Sequence, residues 1–202
     1  MRGRLLTIVI AGFLIGALGG VAALVLSRDA ANPSVTTSGK ALIGGPFKLI
    51  DQHGKTVTDQ DFRGRHMLIF FGFTHCPDIC PAELQVIAES LDALGADADK
   101  VVPIFVTVDP ERDTPEVMGE YVKNFGSRFV GLTGSPEAIA EVAKAYRVVF
   151  SQFEYKGQDG NHGYSVDHST LAYLMSQEGE YLTHFNYGTP ADKMTETLRR
   201  YL

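Results

Sequence analysis

The chain has 202 residues, of which 45% are hydrophobic and 21% charged, with 21 Gly and 9 Pro and a formal net charge of −6. Those proportions exclude a fibrous or largely disordered chain and fit one folded domain. The charge is unevenly spread: residues 1–28 hold three of the 18 Lys and Arg and none of the 24 Asp and Glu, leaving 15 against 24, or −9, on the remainder. So acidic a remainder makes nucleic acid and anionic membrane surfaces poor partners.

In chain order, the first element is LLTIVIAGFLIGALGGVAALVL, Leu5 to Leu26, an uncharged run long enough to cross a bilayer as a helix. Arg2 and Arg4 precede it, and Arg28 is offset by Asp29. The bias of positive charge toward the cytoplasm predicts an inside amino terminus and an exported remainder. A cleaved signal peptide is the alternative, but Leu24 to Leu26 continue the apolar run past the small-residue site at Val21 to Ala23, so an uncleaved anchor over residues 1–28 is expected. With no long Arg- and Ser-rich transit segment ahead of it, the expected location is a bacterial cytoplasmic membrane, single-pass, with the folded domain outside. Residues 29–44 are small and polar and read as a tether, leaving 45–202 as the folded domain.

From Phe47 strand and helix signals alternate. FKLIDQHGKTVT reads as a hairpin turning at His53 and Gly54, DFRGR as a connecting turn, and HMLIFFGF (His66 to Phe73) as a strand buried on both faces. A helix is predicted from Pro81 to about Leu94, with Leu84, Ile87, Ala88, Leu91 and Leu94 at helical spacing and Cys80 as its cap. VVPIFVTVD (Val101 to Asp109) is a second buried strand, and Thr114, Ser135 and Thr189, each followed by proline, are expected to cap three further helices. RFVGLT, TLAYLMS and GEYLTHF supply further strands, the last two joined as a hairpin by a Gln-Glu-Gly turn. Strand, helix, strand, helix, hairpin and final helix predict an α/β thioredoxin-like fold with a central mixed sheet flanked by helices.

The only two cysteines, Cys76 and Cys80, fall in FTHCPDICPAE, just past the carboxyl end of the first buried strand, where open α/β sheets hold their ligands. A structural staple, a redox pair and a soft-metal site are all open at this point. The staple is the weakest of the three, because so short a loop gains little from closure. The helix amides beside the pair should lower its thiol pKa. Two thiolates leave a metal underligated, so a third donor decides. Of the six histidines, His53, His66 and His162 read as solvated, His184 lies within a strand, and His75 adjoins Cys76 with its ring turned away. His168, in SVDHSTLAYLM, precedes a buried strand at the position from which a thioredoxin-like fold faces its cysteines. No proline stands between Pro136 and Pro190, so an imidazole occupies the place where thioredoxins carry one. Asp78, Asp109 and Asp167 are candidates for outer contacts, Asp167 as an orienter of His168. A peroxidase using Cys76 as nucleophile is disfavoured, since Thr74 lies only two residues before it.

GFTHCPDICPAEL, VTVDPERDTPE and YSVDHSTLAYLM together resemble the three signatures of the Sco/SenC family of copper-binding assembly proteins, in the same order, over Gly44 to Leu202. The resemblance implies one copper ion, Cu(I) or Cu(II), held by Cys76, Cys80 and His168. The implied task is maturation of the binuclear copper centre of cytochrome c oxidase. The implied partners are the copper-bearing oxidase subunit and another copper chaperone or a thioredoxin-like reductant. The chain then reads as a carrier rather than an enzyme. The competing reading is a thiol:disulfide oxidoreductase in which Cys76 and Cys80 form a redox-active pair and its disulfide.

Overall fold

The computed structural model describes residues 42–156 and 162–202. The expected anchor and most of the tether lie outside the described residues, and no helix among the described residues is long and apolar enough to cross a membrane.

β1 (Lys48–Asp51) and β2 (Thr56–Thr58) form the predicted first hairpin. The segment read as a connecting turn begins as a tight helical turn over Asp59–Phe62. β3 (His66–Gly72) and β4 (Val101–Thr107) pair in parallel and are buried at every position, the pattern of strands covered on both faces. Pro103 sits in this central strand without breaking the sheet, since pairing to β5 (Val130–Thr133) begins only at Ile104. β8 (Leu171–Met175) and β9 (Tyr181–Asn186) form the predicted antiparallel hairpin, and β8 runs antiparallel to β3. The seven-stranded sheet has the order β2-β1-β5-β4-β3-β8-β9, the mixed sheet of a thioredoxin-like α/β fold.

Among the described residues the α-helices are α1 (Ile79–Leu94), α2 (Pro115–Val122), α3 (Pro136–Ala145) and α4 (Ala191–Tyr201). Thr114 and Ser135 cap α2 and α3 as expected, accepting from the amides of Val117 and Ala138. Thr189 does not cap α4: Pro190 takes the cap position and the Thr189 hydroxyl donates to the Asn186 carbonyl at 2.7 Å. α1 buries Leu84, Ile87, Leu91 and Leu94 and is tied to α4 through Thr195, whose hydroxyl donates to the Ser90 carbonyl.

Three further expectations are corrected. α1 starts two residues earlier than predicted, so Cys80 lies in its first turn and Asp78 holds the cap position. Pro81 is tolerated there because none of the first four amides of a helix has an intrahelical acceptor. His66 is buried rather than solvated, because β3 is covered from its first residue, and desolvation pushes its imidazole pKa down. The segment 150–168, to which no strand is assigned from the sequence, holds a second sheet of β6 (Phe150–Lys156) and β7 (His162–His168) paired antiparallel. Only Val166 in these two strands is buried, so no alternation of core and surface residues marked them as strands.

Candidate metal centre

The site is built where β3 ends. Gly72 closes that strand, and a side chain there would meet Cys80 Sγ at 2.7 Å and the Phe105 ring at 2.8 Å. Only glycine lets the helix bring a sulfur this close to the strand. Cys80 is fully buried beneath the turn, and Cys76 is partly exposed above it. Both are free thiols.

The loop carrying Cys76 is pinned from below by Asp113, which is 0% exposed. Its carboxyl group accepts from the Thr74 amide at 3.0 Å, the Thr74 hydroxyl at 2.5 Å and the Thr107 hydroxyl at 2.6 Å. The same residues turn His75 aside: its Nδ1 lies 3.2 Å from Thr74 Oγ1 and 3.9 Å from Asp113 Oδ1, in keeping with a ring directed away from the sulfurs. Thr74, committed to Asp113, gives no support to the peroxidase reading. Asp113 was not singled out in the sequence, although its place in DPERDTPE between a strand and a capped helix was visible.

The two thiols differ sharply. The Cys80 amide donates to Cys76 Sγ at 3.4 Å. A hydrogen bond from the Cys80 thiol, seconded by the free amides of Cys80, Asp78 and Ile79, brings the Cys76 pKa down to about 5, as the start of a helix does to a thiol placed there. Cys80 moves the opposite way, pushed up first by that shared hydrogen bond and then by burial. The expected lowering therefore holds for one member of the pair only, because a single proton is shared between two sulfurs and burial disfavours charge on the inner one.

His168, the last residue of β7, stands beside them. Its Nε2 lies 3.5 Å from Cys80 Sγ and its Nδ1 lies 3.0 Å from the Ser169 carbonyl. A carbonyl only accepts, so Nδ1 is the donor of that contact, and Nε2 is the ring nitrogen turned toward the sulfur. Phe70 and Phe73 meet the ring edge-on at 6.2 and 5.9 Å. Orientation thus comes from the Ser169 carbonyl, whereas Asp167, assigned that part in the sequence, is exposed and pairs across the hairpin with Ser151. Asp109 is buried and its carboxylate is occupied by Arg112 and by the Tyr164 hydroxyl at 2.9 Å. Asp78 and Asp167 line a cavity of about 220 Å³ together with Phe73, Cys76, Pro77 and His168. Among the described residues no three His, Cys, Asp or Glu side chains stand as a ready-made metal shell. Cys80 is the shared neighbour, its amide 3.4 Å from Cys76 Sγ and its sulfur 3.5 Å from His168 Nε2. Two soft sulfurs and one imidazole nitrogen are a donor set suited to copper.

Comparison with known proteins follows from this geometry. The family model SCO1/SenC matches residues 35–202. The mitochondrial SCO1 homolog 1 of Arabidopsis thaliana is 45% identical over 161 residues, covering 79% of this chain and 47% of that protein, so the chain spans about half the length of this relative. ScoI of Bradyrhizobium japonicum with copper bound is similar in structure, with a TM-score of 0.70 and 48% identity over 79% of this chain and 99% of that one. BsSco, a member of the Sco family of cytochrome c oxidase assembly proteins in which a disulfide switch was identified, aligns with a TM-score of 0.59 and 27% identity, covering 79% of this chain and 93% of that one.

Proposed function

The chain belongs to the SCO1/SenC family, and from that premise we propose that it is a membrane-anchored copper carrier serving assembly of the binuclear copper centre of cytochrome c oxidase. Copper is its cargo, held by Cys76, Cys80 and His168 and passed by ligand exchange to the copper-bearing oxidase subunit. The observation that carries this reading is the contact of the Cys80 sulfur with Nε2 of His168 at 3.5 Å, across 88 residues of sequence. A thiol pair built for exchange alone has no use for that nitrogen, whereas a soft cation lacking a third donor does. The exported side of a bacterial cytoplasmic membrane is the proposed location, supported by the uncharged run Leu5 to Leu26 and its flanking arginines. Loading requires both thiols reduced, so another copper chaperone and a thioredoxin-like reductant are the proposed upstream partners.

The reading is tested by anaerobic Cu(I) competition titration of the reduced full chain beside His168→Ala. Loss of a first ligand should weaken binding by at least about 100-fold, beyond the range seen for outer contacts. Unchanged affinity would remove His168 from the site and the proposal with it.

A second reading is favoured by the unequal thiols. Cys76, with its pKa near about 5, is a nucleophile and Cys80 its buried resolving partner, as a thiol:disulfide oxidoreductase requires. In that reaction Cys76 attacks a disulfide of the target, Cys80 displaces the target's sulfur, and two electrons and two protons leave the chain for the target. Thiol exchange that survives His168→Ala together with undiminished oxidase maturation would favour this reading over the carrier.

A further inference from the structure

His168 reaches the sulfurs on an arm with little backing. β6 and β7 form a sheet of their own, and among the described residues no backbone ladder joins them to the seven-stranded sheet. Val166 is their one buried residue, and cavities of about 220 and 230 Å³ both border it. Beside Val166, Phe150 and Tyr164 pack against the core from partly exposed positions, a thin apolar backing for an imidazole that must stand within bonding reach of a metal.

The polar contacts that join the arm to the body are concentrated at Tyr164. Its hydroxyl donates to Asp109 Oδ1 at 2.9 Å, and its backbone carbonyl accepts from Arg112 Nη1 at 3.0 Å. The Arg112 guanidinium lies 3.7 Å from the centre of the Tyr164 ring and pairs with Asp109. On its other side the guanidinium is 5.8 Å from the Phe73 ring, which meets His168 edge-on. Tyr164, Val166 and His168 alternate along β7 and so share one face. That face therefore carries the tether, the apolar plug and the imidazole in succession.

We infer that Asp109, Arg112 and Tyr164 form a latch that holds the β6–β7 hairpin against the body and so positions His168 over Cys80, making copper capture and release a matter of latch opening. This inference rests on the carrier reading above. Arg112 is a positioning residue: it touches neither sulfur nor imidazole, and it acts on affinity by setting the fraction of molecules in which the third donor is in place.

The test uses the full reduced chain under anaerobic conditions, with Cu(I) itself as probe and a chromophoric Cu(I) chelator as competitor. Arg112→Gln and Tyr164→Leu are each made in the wild-type and in the His168→Ala background. The latch predicts that each variant weakens Cu(I) binding by about 10–100-fold in the wild-type background, speeds transfer to the chelator, and adds no further loss once His168 is gone. Equal loss in both backgrounds would mark a general structural role and overturn the latch. Should Arg112→Gln fail to fold, Tyr164→Leu, at a partly exposed position, carries the same comparison. If His168→Ala weakens binding while both latch variants match wild type, the latch fails and the copper site stands. If His168→Ala itself changes nothing, the site reading fails and the latch falls with it.

Discussion

The two sides of the site are held in opposite ways. The sulfurs hang from the end of β3, a strand buried along its whole length, on a loop fastened to a buried carboxyl group. The imidazole stands at the base of a hairpin whose other strand, β6, has no buried residue. One side is part of the core, while the other is fastened by a few polar contacts and a thin apolar backing from Val166, Phe150 and Tyr164, the kind of element drawn from the low end of local stability. The carrier proposed above would gain from that asymmetry, since its donor set could be dismantled from one side without unfolding the other.

The largest effect expected from this contrast is chemical. At pH 6 an ordinary thiol is only about 0.3% thiolate, whereas Cys76, with its pKa at about 5, is mostly ionised. Iodoacetamide should therefore label Cys76 on the order of 100-fold faster than a free thiol would predict from ionisation alone, and leave Cys80 unmodified, as read by peptide mass spectrometry. Labelling should fall as the pH drops through about 5, because protonation removes the nucleophile. The same depression means that this thiolate adds stability above the usual thiol pKa, and that the contribution is lost progressively as the pH falls from there to about 5.

Next comes the fastening of the sulfur side. Asp113→Ala orphans three donors in a dry site and should cost about 3 kcal/mol or more in a denaturant titration. Little change in midpoint would show that the loop is held by something else. Gly72→Ala forces a methyl group between Cys80 and Phe105 and should cost about 1–3 kcal/mol, with the Cys76 labelling rate shifted as the thiol pair is pushed apart. The smallest effect is expected on the hairpin side: Phe153, 44% exposed on β6, can be changed to Ser with a stability change within about 0.5 kcal/mol. A large loss there would show the hairpin to be part of the core and erase the contrast.

The sheet was legible wherever burial writes a pattern. β3 and β4 read as unbroken apolar runs, and proline after a hydroxyl residue marked the starts of α2 and α3. The same signal misled by one residue at Thr189, where the hydroxyl turns back to Asn186 instead of capping. The hairpin escaped because its strands face water on most sides and bury only Val166. At the site, the three residues singled out do meet in part: Cys80 touches both Cys76 and His168. What stayed hidden was the support. Asp113, Arg112 and Tyr164 act through contacts 39 to 55 residues away in sequence, and no local spacing encodes a pairing that distant. The unequal acidity of the thiols was also hidden, since it depends on which sulfur is buried.

One consequence concerns the order in which the molecule is made. The thiol pair comes from a single turn, whereas the imidazole stands at the end of β7, just before β8, which pairs with β3 and joins Phe70 to Ala172. Contacts so remote in sequence form late, after the cost of closing a long stretch of chain has been met. A nascent or damaged chain therefore displays two sulfurs without the nitrogen, and a complete set of donors exists only once maturation of the fold has finished.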